Sequence, residues 1–113
     1  MIYLASPYSH PDPDVRHARF RSACHFAAQL AGDGHVVFCP IAHSVPMEKY
    51  GNLPGTWGFW QRQDLPMLDL ARELHVAAFP GWKDSEGVQA EIDHWLSNGG
   101  SPVFYHIFQE LPA

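Results

Sequence analysis

Residues 79–92 read FPGWKDSEGVQAEI, and the expected architecture of the chain follows from this segment. The run before it, His75–Phe79, is short, apolar and partly β-branched, which is typical of a strand buried on both faces of a parallel sheet. A proline-glycine pair ends that strand. Asp84 or Ser85 can cap the helix that follows, because a short side-chain oxygen accepts from the unpaired N–H groups of a first turn. Ligands of open α/β sheets bind at the carboxyl ends of the strands, so a small molecule is expected at this turn.

Glu91 is the candidate for the chemistry at this turn. It lies at the border of an apolar stripe on the predicted helix, roughly 85° from the centre of the stripe, so its carboxylate leans toward the sheet edge. The stripe is formed by Val88, Ile92, Trp95 and Leu96. The alternative is a surface glutamate that pairs with a neighbour such as His94.

Composition predicts one domain that binds a small molecule. The chain has 113 residues, of which 46% are apolar, so residues 1–113 are expected to form a single domain around one core. The net charge of -5 argues against nucleic-acid and anionic-membrane surfaces, because these partners need clustered positive charge.

The sequence also predicts a cytoplasmic protein. It has no run of 18 apolar residues, and its first residues lack the basic start and cleavage site of a signal peptide. Cys24 and Cys39 lack metal-ligand spacing, and we expect buried free thiols rather than a disulfide.

Strands and helices alternate along the chain. The predicted strands are Ile2–Ala5, His35–Cys39, His75–Phe79 and Val103–Tyr105. The predicted helices are Asp14–Gly32, Trp57–Arg72 with an interruption at Pro66, and the helix that contains Glu91 and ends at Asn98. Helices between successive strands imply right-handed crossovers. The expected fold is α/β, a doubly wound, flavodoxin- or Rossmann-like sheet of about four to five mainly parallel strands with helices on both faces.

Two loops are expected to serve the site. Ser6, Tyr8 and Ser9 follow the first strand and would face the same crevice. The segment Pro40–Thr56 is rich in proline and glycine and predicts a long loop of the kind that covers a site or contacts another subunit. Its candidate contributors are His43, Ser44, Met47 and Tyr50. The sequence has neither G-x-G-x-x-G nor a Walker lysine, which argues against a dinucleotide or triphosphate site.

Arginines cluster near the start of the first predicted helix. Arg16, Arg19 and Arg21 oppose the helix dipole there, which indicates a compensating anion or acidic partner. The alternative is that these arginines are solvated surface residues.

Asp64 is a second candidate acid. It follows Trp57, Phe59 and Trp60, and desolvation beside aromatic surface raises the pKa of a carboxyl group, as a general acid requires. The alternative is that Asp64 caps a second helical segment that begins at Pro66.

Three motifs, in order along nearly the whole chain, resemble the nucleoside 2-deoxyribosyltransferase-like family of transferases and nucleotide N-glycoside hydrolases. Residues 2–5, Ile-Tyr-Leu-Ala, are similar to the family's first strand, and residues 63–65 resemble its asparagine-aspartate-leucine motif. Ser85-x-Gly87-x-x-x-Glu91 matches its last motif, in which the final glutamate is the nucleophile. The run at residues 80–85 is most similar to small, uncharacterised bacterial members.

This resemblance implies a double displacement at the anomeric carbon. Glu91 would attack C1′ of a ribosyl or deoxyribosyl group, and Asp64 would hydrogen-bond or protonate the leaving base. Tyr3 would orient Glu91 through its hydroxyl group. Water, or a second base in a transferase, would then resolve the glycosyl-enzyme with retention.

The residue at position 85 suggests the branch of the family. The resemblance implies that transferases of free nucleosides have an acidic residue at this position, which contacts the 5′-hydroxyl group. A serine at a helix N-terminus suits a 5′-phosphate better. Hydrolysis of a nucleoside 5′-monophosphate is therefore favoured over base exchange, with Arg16 or Arg19 as phosphate partners. The expected substrate-binding residues are Ser6, Tyr8, Ser9, Asp84, Ser85 and Gly87.

Other interpretations stay open at this point. A non-catalytic nucleotide-binding member of the family would keep the fold and turn Glu91 away from the crevice. Eight histidines suggest metal-dependent chemistry, but they lack the helical i, i+3 or i+4 pairing of a metal site, so we expect no metal and no cofactor. The resemblance also implies a homo-oligomer, a dimer or tetramer. Its contact is expected on Pro40–Thr56 and the neighbouring aromatic residues, unless those aromatics fill the core.

Overall fold

A computed structural model describes residues 1–112 as one parallel sheet with helices on both faces. The strands are β1 (Ile2–Ala5), β2 (Val37–Phe38), β3 (Glu73–Ala78) and β4 (Phe104–Ile107). The helices are α1 (Pro13–Gly32), α2 (Pro40–Gly51), α3 (Trp57–Asp69) and α4 (Glu86–Ser97), with a 3-10 turn at Trp82–Asp84. The predicted α/β, doubly wound fold is confirmed.

The sheet has the order β2-β1-β3-β4, and all of its neighbouring strands are parallel. β1 and β3 therefore occupy the two central positions, where each strand has a hydrogen-bonded neighbour on both sides. They pair in register from Ile2 opposite Glu73 to Ala5 opposite Val76. Their carboxyl ends lie at the same edge of the sheet, and the segment that contains Ser6, Tyr8 and Ser9 and the turn before Ser85 leave from that edge.

Alternate residues of the central strands supply two cores, one on each face of the sheet. Tyr3 and Val76 belong to the core that α3 and α4 cover, together with Leu68, Val88 and Ile92 from those helices. The opposite core contains Leu4, Ala77 and Phe79 from the strand side and Ala23 and Leu30 from α1. This division explains why β1 is apolar at every position and why β3 is apolar at Leu74 and from Val76 to Ala78.

A polar chain joins β3 to the edge strand β4. His75 Nδ1 and His106 Nε2 lie 2.9 Å apart, and His75 Nε2 lies 2.9 Å from a carboxylate oxygen of Glu73. Burial and the neighbouring His75 lower the pKa of His106. The imidazole rings also stack on each other, so the outermost strand is held by side chains as well as by the backbone ladder.

The prediction of a long loop at Pro40–Thr56 is wrong, because residues 40–51 form α2. Pro40 occupies a first-turn position of that helix, where its missing N–H group costs no hydrogen bond. Asn52, in the left-handed conformation with φ 52°, ends the helix. Only residues 52–56 connect α2 to α3, so residues 1–112 contain four α-helices instead of the predicted three.

Several predicted boundaries also need correction. α3 continues through Pro66 to Asp69, so Asp64 lies inside one helix and does not cap a second segment. β2 is limited to Val37–Phe38, while β3 begins two residues earlier and ends one residue earlier than expected. β4 is displaced toward the C-terminus, at Phe104–Ile107.

Cys24 and Cys39 are both free thiols, as expected, although only Cys39 is buried. Within residues 1–112, no helix combines the length and the apolar character needed to cross a membrane.

Candidate active site

A cavity of about 300 Å³ lies at the carboxyl ends of β1 and β3, between the starts of α2 and α4 and the aromatic side chains of α3. It contains most of the residues that the sequence singled out. Its lining comprises Ser6, Tyr8, Ser9, Pro40, Ile41, Ser44, Glu48, Gly55, Thr56, Trp57, Trp60, Asp64, Ser85, Glu86, Gly87, Val88 and Glu91.

Glu91 lines this cavity from the second turn of α4 and is only 4% exposed. Tyr3 on β1, itself fully buried, donates a hydrogen bond from its hydroxyl group to Oε2 of Glu91. The bond joins a central strand to the helix that covers it, which fixes the orientation of the carboxyl group. The alternative of a surface glutamate is therefore excluded.

Burial dominates the acid–base properties of this pair. Burial raises the pKa of Glu91, the hydrogen bond from Tyr3 lowers it, and the nearby Asp64 raises it. The resulting pKa is about 8. Burial, reinforced by the charges of Glu91 and Asp64, raises the pKa of Tyr3 far above its ordinary value, so Tyr3 acts only as a neutral donor. Glu91 thus alternates between a neutral acid and a poorly solvated carboxylate close to physiological pH.

Asp64 lines the same cavity from α3 and is 5% exposed. Burial raises its pKa to about 6. Its Oδ1 atom is buried without a hydrogen-bond partner, and the same is true of Oγ of Ser6 at the end of β1. A buried polar atom without a partner is costly, so these two atoms mark positions where a ligand would supply the missing hydrogen bonds.

The first turn of α4 forms one wall of the cavity. Ser85 is its N-cap, and its Oγ atom accepts a hydrogen bond from the backbone N–H of Val88 at 3.3 Å. Gly87 packs against the indole ring of Trp57, where an added Cβ atom would lie 3.4 Å from the ring. Glu86 already places a negative charge in this first turn.

Three side chains that the sequence analysis associated with substrate or phosphate lie outside the cavity. Asp84 sits on the 3-10 turn and lines a separate hollow beside the end of β4. Arg16 donates from Nη1 to the carbonyl oxygens of His10 at 2.5 Å and Pro11 at 3.3 Å.

Arg19 has a structural role as well. It donates to the carbonyl oxygens of Ser9 at 2.9 Å and Pro80 at 3.2 Å, and so ties the loop after β1 to the turn after β3. The partners of these two arginines within residues 1–112 are therefore backbone carbonyl groups of their own chain instead of the expected acidic side chain.

The cavity is acidic. Four carboxyl groups line it, and among residues 1–112 no lysine, arginine or histidine does so. Two of the four, Asp64 and Glu91, lie in the motifs that resemble those of nucleoside 2-deoxyribosyltransferase-like proteins, and Glu86 follows the N-cap of α4. The fourth, Glu48, was not predicted, because it lies in a segment whose local pattern indicates a loop.

In the part of the chain that the structure describes, no group of three or more His, Cys, Asp or Glu side chains is arranged to hold a metal ion. The chemistry available to the cavity from this chain is thus that of carboxyl, hydroxyl and indole groups.

A family model described as "Domain of unknown function (DUF1937)" matches residues 1–107. The chain belongs to this DUF1937 family. The matched range includes every strand, all four helices and every residue that lines the cavity. No curated protein matches the chain.

Proposed function

We propose that this DUF1937 domain cleaves the N-glycosidic bond of a nucleoside or nucleotide, with Glu91 as the nucleophile. The observation that carries the proposal is the placement of two buried carboxyl groups, Glu91 and Asp64, in the wall of one cavity, with Glu91 held by the hydroxyl group of Tyr3. Two carboxyl groups that face one cavity can act on the same substrate, one at the sugar and one at the base. The motif resemblance to nucleoside 2-deoxyribosyltransferase-like proteins assigns the role of nucleophile to Glu91 and the contact with the base to Asp64.

In the proposed mechanism, the Glu91 carboxylate attacks C1′ while Tyr3 holds its other oxygen. The bond to the base breaks, and Asp64 donates a proton or hydrogen bond to the departing nitrogen heterocycle. Water then attacks C1′ of the glycosyl-enzyme as the C1′–O bond to Glu91 breaks, and the proton of the water passes to the Asp64 carboxylate left by the first step, giving net retention. Ser6 Oγ is available to a sugar hydroxyl group, since it has no partner within the chain.

The lining supports a substrate without a 5′-phosphate. The sequence favoured a nucleoside 5′-monophosphate, with Arg16 or Arg19 as phosphate partners, but both guanidinium groups are engaged elsewhere. A phosphate placed among four carboxyl groups without a cation would be repelled. We therefore propose the free nucleoside as the substrate and treat the monophosphate as the competing hypothesis.

The test is incubation with a panel of ribo- and deoxyribonucleosides and their 5′-monophosphates, followed by chromatographic detection of released base. We expect base release from a nucleoside and its loss, by about 10³-fold or more, in Glu91→Gln. Adding a second free base to the same reaction separates hydrolysis from base exchange, because only a transferase forms a new nucleoside. Full activity of Glu91→Gln would refute the assignment of the nucleophile.

A non-catalytic nucleoside-binding protein remains the second candidate. It would bind the panel without releasing base, which a rise in melting temperature on ligand addition detects. The orientation of Glu91 into the cavity supports the enzyme instead.

We further propose that the protein is cytoplasmic and forms a homo-oligomer. The free thiols of Cys24 and Cys39 support the first point. Tyr50 is 85% exposed at the end of α2, near the exposed Met47 and Leu53, and this apolar patch is the proposed contact between subunits. Trp60, in contrast, is buried in the core. Size-exclusion chromatography of Tyr50→Asp tests the contact.

A further inference from the structure

Two carboxyl groups of the cavity, Glu48 and Glu86, have no role in the mechanism above, and Glu48 is the less exposed of the two. Glu48 lies on the last turns of α2, three residues before the end of the helix. Its Oε2 atom lies against Gly55, where an added Cβ atom would be 3.2 Å away, so the absence of a side chain at position 55 makes room for the carboxyl group. Among the residues described, Glu48 forms no ion pair with a lysine, arginine or histidine.

Basic side chains line a different hollow, which also borders Glu48. Arg16, His17 and Lys49 belong to a neighbouring depression of about 400 Å³ between α1 and α2. Tyr8 and Glu48 line both this depression and the acidic cavity, so they form the partition between the two. The carboxyl group of Glu48 therefore lies between a ligand in the acidic cavity and the basic side chains of the depression.

The acidic cavity also contains a direct indication of a ligand. Ser6 and Asp64 are each 95% buried, since both are 5% exposed, and each has an oxygen atom without a partner at the cavity wall. These atoms require donors and acceptors from a bound molecule. The acidic lining and the unpartnered oxygens together describe a site for a neutral molecule rich in O–H and N–H groups, such as a nucleoside.

From this arrangement we propose that Glu48 is a specificity-determining residue, which accepts a hydrogen bond from a hydroxyl or amino group of an uncharged nucleoside and excludes its 5′-phosphorylated form. The inference rests on the proposed function and adds to it the residue that selects an uncharged substrate over a phosphorylated one. A carboxylate gains from an O–H or N–H donor and is repelled by a phosphate that brings close to two negative charges. Specificity of this kind depends on the rejected ligand as much as on the accepted one.

The experiment compares kcat/KM for nucleosides and for their 5′-monophosphates in the wild type, Glu48→Gln and Glu48→Lys. Glutamine keeps the shape of the side chain and removes its charge, and Glu110→Gln, an exposed carboxyl group outside the cavity, controls for the change in net charge. We expect the preference for the nucleoside to fall about tenfold or more in Glu48→Gln and further in Glu48→Lys, with no change in Glu110→Gln.

A binding experiment separates this inference from the proposed function. Calorimetry measures the binding of the same nucleosides and monophosphates to Glu91→Gln and to the double variant that also carries Glu48→Gln. If base is released but the preference is the same in all three proteins, the role of Glu48 is refuted and the mechanism stands. If nothing is cleaved but Glu48→Gln shifts the binding preference as expected, the mechanism fails and the role of Glu48 stands.

Two further results would overturn the inference. One is a wild-type preference for monophosphates that Arg16→Gln abolishes, because the phosphate would then occupy the basic depression. The other is the absence of binding by every nucleoside and monophosphate in the panel, which would refute both proposals. If Glu48→Lys does not fold, as judged by circular dichroism, the comparison rests on Glu48→Gln.

Discussion

The bond between Tyr3 and Glu91 sets the properties of the candidate nucleophile. A carboxylate held in a buried position needs a fixed donor, and a tyrosine on a central strand supplies one that cannot move independently of the sheet. The donor lowers the pKa of Glu91 while burial raises it, and burial has the larger effect. The pKa of Glu91 consequently lies above its ordinary value, and its carboxylate form is less favourable than that of a surface glutamate.

Replacement of Tyr3 by phenylalanine removes the donor and keeps the ring. The pKa of Glu91 should then rise further, so the limb of the kcat/KM profile that reports its ionisation should move to higher pH. Activity at pH 7 should fall about tenfold or more. The measurement is a pH–rate profile, with Tyr50→Phe, whose side chain is exposed, as the matched control. An unshifted limb with reduced activity would mean that Tyr3 has only a packing role.

Glu91 should also make stability depend on pH. Its pKa rises from 4.5 in ordinary surroundings to about 8 in the folded protein, so between these values the folded state holds the proton more tightly than the unfolded chain. The resulting stabilisation is fully present below about pH 4.5 and is lost as the pH rises through about 8.

Glu91→Gln stays neutral and should escape that loss. At pH 9 the variant should be more stable than the wild type by roughly 1–3 kcal/mol, a rise of several degrees in melting temperature, and the difference should vanish near pH 4.5. Thermal unfolding at a series of pH values measures this effect, with Glu110→Gln as the exposed control. Parallel curves for the two proteins at every pH would contradict the burial of an ionisable Glu91.

The N-cap of α4 stabilises the helix that carries part of the candidate site. Ser85 accepts from the N–H of Val88, and this hydrogen bond stabilises the turn that presents Gly87 and Glu91 to the cavity. Ser85→Ala should cost about 1 kcal/mol, and Ser85→Asp should restore most of it, because aspartate is an equally good N-cap. Denaturant unfolding gives both values. Ser97→Ala, in the exposed last turn of the same helix, should be close to neutral.

The elements also show how far the sequence could predict the structure. β1 and α4 have clear local patterns, an apolar run in one and an apolar stripe after a serine cap in the other, and both were predicted correctly. α2 was missed because Pro40, Pro46 and Gly51 are read locally as loop residues. Proline in a first turn is compatible with a helix. The packing of Ile41 and Ala42 against the core, which the local sequence does not reveal, favours the helix over a loop.

The same distinction applies to the site. Glu91, Asp64 and Tyr3 could be predicted because they lie in motifs whose roles a family resemblance supplies. Glu48 could not be predicted, because it lies on α2, which has no clear helical pattern in the sequence. Its position also depends on Gly55, which lies outside the motifs. The hydrogen bonds of Arg16 and Arg19 to backbone carbonyl groups were equally inaccessible, because they depend on how the loops fold back over α1.

At the scale of the whole molecule, residues that follow β4 complete the second core. Phe108 lies against Phe79 and Phe26, with ring centroids 5.1 and 5.5 Å apart. Ser22 on α1 donates to the carbonyl oxygen of Pro112 at 2.7 Å, and Leu111 packs on the same core. The end of the described chain thus closes the face of the sheet opposite α3 and α4.

Phe108→Ala should therefore destabilise the protein although it is remote from the cavity. Loss of two aromatic contacts at a half-buried position should cost about 2 kcal/mol and lower the melting temperature by several degrees. Val36→Ala, at an exposed site, provides the comparison. Equal melting temperatures for the two variants would show that the second core is closed without this segment.

The central location of β1 and β3 has a consequence for local opening of the native state. Tyr3 lies on one of these strands, Ser6 follows its end, and Glu91 lies on α4, which packs on the sheet beside them. Fraying is expected to begin at the margins of the sheet, at two-residue β2 and at the edge strand β4, because opening there requires less free energy than disruption of the middle. The amide hydrogens of β1 and β3 should therefore exchange last, and transient opening of the margins should leave the Tyr3–Glu91 pair assembled.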